Sequence, residues 1–284
     1  MKKITKLISL FCLAAVFVFA SCSSSTSGGG VTYIGKKAPT EPKDVGDIVF
    51  NDGSATPYAE IKARTTKSKI TDAEKAAAIA VIFYVGTGLN SDVDGVPNNT
   101  TSRTLGVGLE QDNSVGRVWA RTSSETEANG YFTNIETIQC TSSGSGETLT
   151  FSGDKNGSDN LEQMGTFLKL NSIDDDTNDL SNYPAFKFGK EYSTDATTGT
   201  VYDKNGWYLP SIAELYEIYK VKGTVDAATS LCGGDKFSTT GYYWSSSSLD
   251  SYDNAAYMFY FKSENNWAGG YKCNNYLLCA IREF

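Results

Sequence analysis

Residues 239–284 read TTGYYWSSSSLDSYDNAAYMFYFKSENNWAGGYKCNNYLLCAIREF, and this stretch decides the fold of the chain. Its run 255–261 has the composition of a strand, because aromatic residues predominate in it. A period of two divides the run between two faces, with Tyr257, Phe259 and Phe261 on one and Met258 and Tyr260 on the other. We expect the first face to lie in the core and the second to be open.

The chain ends with an almost continuous apolar run at 277–281, which is typical of a strand buried on both faces. Residues that favour turns lie between the two predicted strands: Asn265, Asn266, Gly269, Gly270, Asn274 and Asn275. Asn side chains carry amide groups that both donate and accept hydrogen bonds. The end of the chain therefore predicts a polar and aromatic surface displayed on a buried base.

A helix is predicted before this stretch, where residues 206–220 read GWYLPSIAELYEIYK. Ser211 and Glu214 form a capping box, and apolar residues then recur along one helical face. A second, shorter helix is predicted at 225–231, because Gly233 follows it and can adopt the positive φ of a helix C-terminus.

Further elements follow from capping boxes, apolar periodicity and β-branched runs. Strands are predicted at 46–50, 81–85 and 105–109, and helices at 73–80, 161–168 and 183–192. The first strand leads into a turn at 51–53. The segment 86–103 is polar and typical of a surface loop. The segment 111–160 is rich in Ser, Thr, Gly, Asp and Asn, with apolar fragments at 118–120 and around Ile138, and is the least informative part of the chain.

One polar segment offers oxygen atoms at alternate positions, as part of a calcium-binding loop does: Asp154, Asn156, Ser158 and Asp159. The 12-residue register and the terminal Glu of such a loop are missing. A solvated turn is therefore the favoured interpretation, and no metal site is predicted.

The N-terminus has the pattern of an export signal, with Lys2, Lys3 and Lys6 before an apolar segment at 8–19. Small residues then precede Cys22, which is typical of a lipoprotein signal in which that cysteine is lipidated. A plain secretory signal is the alternative. Both interpretations place the protein outside the cytoplasm.

We predict three parts: a lipoprotein signal peptide at 1–21, lipidated Cys22 with a flexible linker at 22–45, and one domain at 46–284. The linker begins with Ser and Gly and continues with Lys and Pro. It would hold the domain off the membrane. We expect the protein to be lipid-anchored at the cell surface, on the outer membrane.

Composition excludes several functions. The net charge of −8 argues against nucleic acid as a partner and against an electrostatic grip on anionic lipid beyond the anchor. The chain has no histidine, which excludes a Ser/His/Asp triad, histidine base catalysis and His-liganded metals. We predict no cofactor and no enzymatic activity.

Four cysteines follow Cys22: Cys140, Cys232, Cys273 and Cys279. They lack paired CxxC spacing, which argues against a zinc site. An exported chain is able to oxidise them, and four cysteines allow three pairings. Structural disulfides and buried thiols both stay open at this point.

The terminal region resembles the C-type-lectin-like fold of the formylglycine-generating-enzyme type. The resemblance is carried by four segments taken together: GWYLPSIAELYEIY, YYWSSSS, the strand with alternating aromatics and the closing CAIREF. The upstream segments GDIVFNDGS, EKAAAIAVIFYVG and GVGLE, with the lipoprotein signal, are similar to the treponemal variable protein (TvpA-like) group of surface lipoproteins. The resemblance implies an α+β fold of mixed short strands with two or more helices, whose terminal strands and loops form a binding surface. It also implies a diversity-generating retroelement, which rewrites adenines in the terminal codons.

The resemblance implies a fixed scaffold and a set of variable positions. The scaffold is Trp244, Ser245, Ser246, Tyr257, Phe259, Phe261, Ala280, Ile281 and Arg282. The variable, ligand-binding positions are Ser248, Asp250, Ser251, Tyr252, Asp253, Tyr260, Asn265, Asn266, Tyr271, Asn274, Asn275 and Tyr276, with Trp267 as a fixed apolar anchor among them. Tyr, Ser and Asn suit such a surface, because Tyr supplies stiff contact area while Ser and Asn adapt their hydrogen bonds.

Two departures limit what the resemblance implies. The calcium-dependent sugar-binding triplets of true C-type lectins are absent, so no carbohydrate specificity follows. The catalytic branch of the fold uses a cysteine pair, and no family motif surrounds Cys273 and Cys279. No catalytic activity therefore follows from the resemblance, because a shared fold does not carry function with it. The predicted function is binding of a protein or other macromolecular ligand by a surface adhesin. The alternative is a passive surface-coat lipoprotein without diversification.

Overall fold

A computed structural model describes residues 31–65, 69–121, 135–145, 148–170, 180–192, 206–249, 253–262 and 266–284. In these ranges the strands are β1 Asp47–Phe50, β2 Ala55–Pro57, β3 Ala78–Gly86, β4 Arg103–Gly108, β5 Asp112–Val118, β6 Cys140–Ser143, β7 Thr150–Gly153, β8 Trp207–Tyr208, β9 Tyr242–Ser248, β10 Ala255–Tyr260, β11 Trp267–Tyr271, β12 Asn275–Leu278 and β13 Ile281–Glu283. The helices are α1 Tyr58–Ala63, α2 Asp72–Ala77, α3 Gly157–Leu170, α4 Pro184–Lys190 and α5 Ile212–Cys232. The predicted α+β class is confirmed.

The described strands form sheets of six, five and two strands. The six-stranded sheet has the order β2-β1-β3-β4-β13-β8, the five-stranded sheet β11-β10-β9-β12-β5, and the small sheet β6-β7. The pairing of β12 with β9 is parallel, through Leu277 and Tyr243, and the other named pairings are antiparallel. The last strand of the chain therefore lies inside the larger sheet, between β4 and β8.

The capping boxes predicted for two helices are confirmed. At the start of α2, Thr71 Oγ1 accepts a hydrogen bond from Glu74 N–H at 3.1 Å, and Ser211 and Glu214 make the same arrangement at the start of α5. The predicted C-terminal bound of the first helix was wrong, because α2 ends at Ala77. Ala78 already pairs with Phe50 as part of β3, so sheet pairing overrides the helix propensity of alanine there.

The predicted break between two helices at 212–231 was also wrong, because α5 is continuous to Cys232. Gly223 lies within it with open space around its Cα, so nothing there forces a kink. Lys222 and Asp226 form an ion pair one turn apart across the expected break. The helix ends where predicted, at Gly233 with φ 88°.

The closing apolar run is two strands, and the prediction of one strand at 277–281 was wrong. β12 ends at Leu278 in the five-stranded sheet, and β13 begins at Ile281 in the six-stranded sheet. Cys279 and Ala280 cross between the sheets and are fully buried. A crossing inside the core has the same continuous apolar pattern as a buried strand, so periodicity did not separate them.

The segment between the two terminal predicted strands also differs from the prediction. Gly269 and Gly270, predicted in turns, lie in β11, which pairs with β10. A Cβ on Gly270 would lie 2.8 Å from the Tyr276 ring and 2.9 Å from the Met258 sulfur. Glycine is required there for close packing and not for a turn.

Residues Tyr33–Phe284 form one contact unit. Within the segment predicted as linker, Lys37 pairs with Ala55 of β2 through backbone hydrogen bonds of 2.8 and 3.0 Å. Gly35 N–H donates to Ser54 Oγ at 2.7 Å. The part of this segment nearest the domain is therefore bonded to the edge of the six-stranded sheet. The exact start of the domain stays a prediction.

Candidate ligand-binding face

Three tyrosine rings stand side by side across adjacent strands of the five-stranded sheet. Tyr260 on β10 is opposite Tyr242 on β9, and their rings stack with centroids 4.8 Å apart at 27°. Tyr276 on β12 meets Tyr242 edge-on at 6.0 Å. All three are half-buried. We call Tyr260, Tyr242 and Tyr276 the tyrosine row.

The floor beneath the tyrosine row is closely packed. The Tyr276 ring contacts the buried Trp244 ring edge-on at 4.7 Å, and Trp244 Nε1 donates to the Arg117 carbonyl of β5 at 2.9 Å. Met258 is buried on the same face of β10. Trp119 and residues of α3 and α4 complete this cluster and cover the rest of the face. The tyrosine row is therefore the part of the face that the helices leave uncovered.

The opposite face of β10 lies in the main core, as predicted. Tyr257, Phe259 and Phe261 are buried there, and Phe259 contacts the rings of Tyr216 and Tyr219 on α5. The prediction for this face is confirmed. The second face is less open than predicted, because Met258 is covered and Tyr260 is only half-exposed.

The turn between β11 and β12 displays several of the predicted positions. Tyr271 is 60% exposed, and Asn274 and Asn275 are exposed. The Asn274 amide donates to the Tyr276 hydroxyl across 3.5 Å, which connects this turn to the tyrosine row. Asp253, just before β10, is exposed as well.

Lys272 is the buried centre of that turn. Its ammonium group lies 4.6 Å from the Trp119 ring centroid and donates to the Asp253 carbonyl at 2.8 Å. Its backbone carbonyl accepts from the N–H groups of Trp119 and Ala120 at 2.9 and 3.1 Å. Burial lowers the pKa of Lys272 to about 7, although the Asp253 carboxylate opposes the shift. One side chain thus joins β5, the start of β10 and the β11–β12 turn.

The remaining predicted positions divide into buried and undescribed residues. Ser248 is fully buried, Asn266 is 3% exposed, and Trp267 is half-buried with its ring 5.4 Å from Tyr257. Positions outside the described residues are Asp250, Ser251, Tyr252, Asn265 and the predicted lipidation site Cys22. The structure thus brings together Tyr260, Tyr276 and Asn274 with Tyr242, whereas Tyr271, opposite Ala255, shares the face of Tyr257 and lies on the other side of the sheet. It withdraws the side chains of Ser248 and Asn266 from solvent.

Sequence reasoning did not include Tyr242 among the binding positions, although it is the centre of the tyrosine row. The available signal was the alternation of Tyr242 and Trp244, which places both on one face of a strand. The register that sets Tyr242 against Tyr260 depends on pairing between separate strands, and local periodicity does not contain it.

The serine run after Trp244 has a structural role. Ser247 Oγ accepts from the N–H of Ile212 at 3.0 Å, at the start of α5. Ser245 Oγ donates to the Tyr257 carbonyl at 2.8 Å, and Ser246 Oγ accepts from the buried Asn160 amide at 2.8 Å. These hydroxyls satisfy backbone and amide groups that would otherwise be buried without partners.

The described residues contain no group of three or more His, Cys, Asp or Glu side chains placed to hold a metal ion. Asn156 instead accepts from Ser158 N–H at 3.0 Å as α3 begins. Cys140, Cys232 and Cys279 are buried free thiols, and Cys273 is an exposed one. Burial raises the pKa of all three buried thiols, that of Cys232 to about 12, which makes them poor nucleophiles.

Across the described ranges, no helix has the length and apolarity needed to cross a membrane. No protein-family model matches the chain, and no curated protein matches it either. Among solved structures, the chain is similar to a fimbrial protein from Bacteroides ovatus ATCC 8483, with a TM-score of 0.52 and 17% sequence identity. The match covers 85% of this chain but 49% of that protein, so this chain spans about half the length of its structural neighbour. At this identity the likeness concerns the fold alone.

Proposed function

We propose that this protein is a lipid-anchored surface protein that binds a protein or other macromolecular ligand through the tyrosine row and the adjacent β11–β12 turn. The observation that carries the proposal is the row itself. Three large rings remain half-exposed on a buried, packed floor, and the hydroxyls of Tyr242 and Tyr260 have no hydrogen-bond partner among the described residues. Rings held in this way offer contact area at low entropic cost, with polar groups at the rim.

The surroundings of the row suit recognition of a macromolecule. Asn274 extends the surface with an amide that donates to the Tyr276 hydroxyl, whereas Tyr271 lies on the opposite face of the sheet. Aromatic anchors surrounded by adaptable polar groups are typical of protein-binding surfaces. The fimbrial character of the structural neighbour is compatible with an adhesin, although the likeness itself concerns the fold.

We also propose the finer assignment of the domain as a C-type-lectin-like fold of the formylglycine-generating-enzyme type, TvpA-like and diversified by a retroelement. An AAC codon changed only at its adenines never encodes Trp, Met, Lys or Glu, so positions with those residues would be fixed. Met258 and Lys272 have such residues and are buried, whereas Tyr271 and Asn274 are exposed. These four positions fit a fixed scaffold beneath changing side chains, whereas the exposed Lys262 and the buried Ser248 and Asn266 do not.

The locus tests the diversification proposal. We expect a near-identical template repeat beside the gene, with differences confined to template adenines. A locus without such a repeat, or with differences at other bases, would remove diversification and leave the binding proposal standing.

Paired alanine variants test the binding face. Phe259→Ala should lower the free energy of unfolding by about 3 to 5 kcal/mol, because a fully buried ring is lost. Tyr260→Ala should lower it by no more than about 1.5 kcal/mol, because it removes one ring stacking at the surface. Tyr260→Ala and Tyr276→Ala should weaken binding to whichever members of a panel of immobilised proteins and glycans the unmodified chain retains.

Tyr33→Ala is the matched control, since Tyr33 is an exposed tyrosine outside the face. It should change neither stability nor binding. If the unmodified chain binds no member of the panel, a passive coat protein is favoured. The same holds if the Tyr260, Tyr276 and Tyr33 variants all bind equally well.

A further inference from the structure

The outer strand of the five-stranded sheet, β11, has backbone groups directed away from the sheet. Just before β11, Asn266 C=O accepts from Tyr260 N–H at 2.7 Å, and just after it Lys272 N–H donates to Asn254 C=O at 2.9 Å. Hydrogen-bonded pairs alternate along an antiparallel ladder. The even-numbered residues of β11 therefore face β10, and the odd-numbered residues face outward.

The outward residues are Trp267, Gly269 and Tyr271. In the described part of the chain, the Tyr271 carbonyl accepts from Asn274 N–H at 2.8 Å, and the other outward N–H and C=O groups have no partner. A row of unpaired ladder groups is a template for another strand. The hydrogen-bond geometry of this edge therefore requires an extended backbone as its partner.

This edge lacks the features that block strand pairing at the β2 and β5 edges. β11 reads WAGGY, without charge or proline. At the edge of the six-stranded sheet, Lys37 already pairs with Ala55 of β2, and Pro57 ends that strand. β5, at the other edge of the five-stranded sheet, has charged Asp112 and Arg117 side chains. Charges, prolines and covering segments are the usual protection of an edge.

We propose that two copies of this chain pair antiparallel through β11, about a two-fold axis at Gly269. This inference goes beyond the proposed ligand-binding function and does not depend on it. The strand itself indicates a second copy as the occupant, because its pattern is nearly symmetric about Gly269. Antiparallel pairing sets Gly269 against its own counterpart and Trp267 against Tyr271 of the other copy.

That register gives a partner to each outward group of the edge that lacks one, and a second donor to the Tyr271 carbonyl. Each hydrogen-bonded pair exchanges two bonds, so the three pairs form about six hydrogen bonds. Trp267 and Tyr271 project from the same face of the sheet, since alternate residues share a face, and they would make two aromatic cross-strand pairs. Gly269 has no side chain to obstruct the axis. Tyr271, now 60% exposed, would become covered.

The pairing would also determine how the two tyrosine rows are oriented. The two-fold axis of an antiparallel pair is perpendicular to the sheet, so both tyrosine rows would face the same side of one continuous sheet. A five-residue edge buries little area and predicts a weak dimer in dilute solution. Confinement of copies to one membrane would raise their effective concentration and favour the dimer.

Disulfide trapping tests the register on the full chain in phosphatidylcholine vesicles, with Cys273→Ser to remove the exposed thiol. Gly269→Cys should form a covalent dimer under mild oxidation, because residues of a hydrogen-bonded pair have Cα atoms about 5.5 Å apart, within disulfide range. Ala268→Cys is the matched control. It would be offset from its own counterpart by about 7 to 8 Å, beyond that range, and should cross-link about tenfold less.

Sedimentation of the full chain in detergent gives a second measurement without new cysteines. Tyr271→Lys should raise the dimer dissociation constant by about tenfold or more, because it places a charge at the pairing edge, whereas Tyr271→Phe should leave it unchanged. Equal cross-linking of the two cysteine variants would overturn the proposal. So would an unmodified chain that stays monomeric up to about 100 µM.

Discussion

At the scale of single residues, the buried Arg103 connects four separate parts of the described chain. Its guanidinium donates to the Leu89 carbonyl at 2.8 Å, the Glu214 carboxylate at 3.1 Å, the Tyr208 hydroxyl at 2.8 Å and the Glu283 carboxylate at 3.0 Å. Burial raises the pKa of Glu214, and the adjacent Arg103 opposes that shift. The Glu214 carboxylate also accepts from the backbone N–H groups of Ser211 and Gly157, and the first of these bonds completes the capping box of α5.

Arg103→Met should therefore destabilise the domain by about 3 to 5 kcal/mol, because it leaves Glu214 buried without its cation. Chemical denaturation at neutral pH measures the change. The matched control is Arg117→Met, which breaks the partly exposed pair with Asp112 and should cost about 1 kcal/mol or less. Equal losses in the two variants would contradict a structural role specific to Arg103.

At the scale of elements, the β11–β12 turn depends on Lys272. The turn presents exposed polar and aromatic residues on both sides of one buried lysine. That lysine holds the turn against β5 through Trp119 and against the start of β10 through Asp253. A turn with so many exposed side chains needs such an internal anchor, because its surface residues contribute little burial.

Lys272 predicts a specific pH dependence of stability. Its pKa is about 7 in the folded chain and near 10.5 when exposed, so between these values the unfolded chain binds more protons. The burial penalty is complete below pH 7 and is relieved as the pH rises toward 10.5. The free energy of unfolding of the unmodified chain, minus that of Lys272→Met, should therefore rise between pH 7 and 10. A difference that stays constant or falls over that window would contradict the burial of Lys272.

At the scale of the whole molecule, two sheets share one core with α5. The chain crosses between the sheets at Cys279 and Ala280, so the terminal binding region and the larger sheet are covalently continuous through buried residues. The N-terminal side of the domain is bonded through Lys37 to β2, an edge of the larger sheet. Tether and proposed binding face therefore belong to different sheets.

The proposed anchor predicts how the whole molecule partitions. The unmodified protein should enter the detergent phase with membrane proteins, because two or more acyl chains anchor a protein stably. Cys22→Ala should move it to the aqueous phase. Cys12→Ala is the control and should leave partitioning unchanged, since Cys12 lies within the predicted signal peptide. Full membrane retention of the Cys22 variant would show that something other than lipid holds the protein.

Much of the local structure was determined by the sequence. The capping boxes at Thr71 and Ser211 located two helix starts, since the paired side chains belong to the same turn. The period of two in 255–261 assigned Tyr257, Phe259 and Phe261 to the core, because strand geometry alternates faces whatever the partner strand. These signals are local, and tertiary contacts did not change them.

Only the tertiary structure decided the composition of the candidate face. Tyr242 joined it, and Ser248 and Asn266 were buried, through strand register and helix packing between residues far apart in the chain. The same contacts divided the closing apolar run between two sheets and placed Lys272 beneath an aromatic ring. The type of a residue shows only that it can be either buried or exposed. Which of the two occurs depends on the partners that the fold brings to it, and no periodicity of the chain encodes those partners.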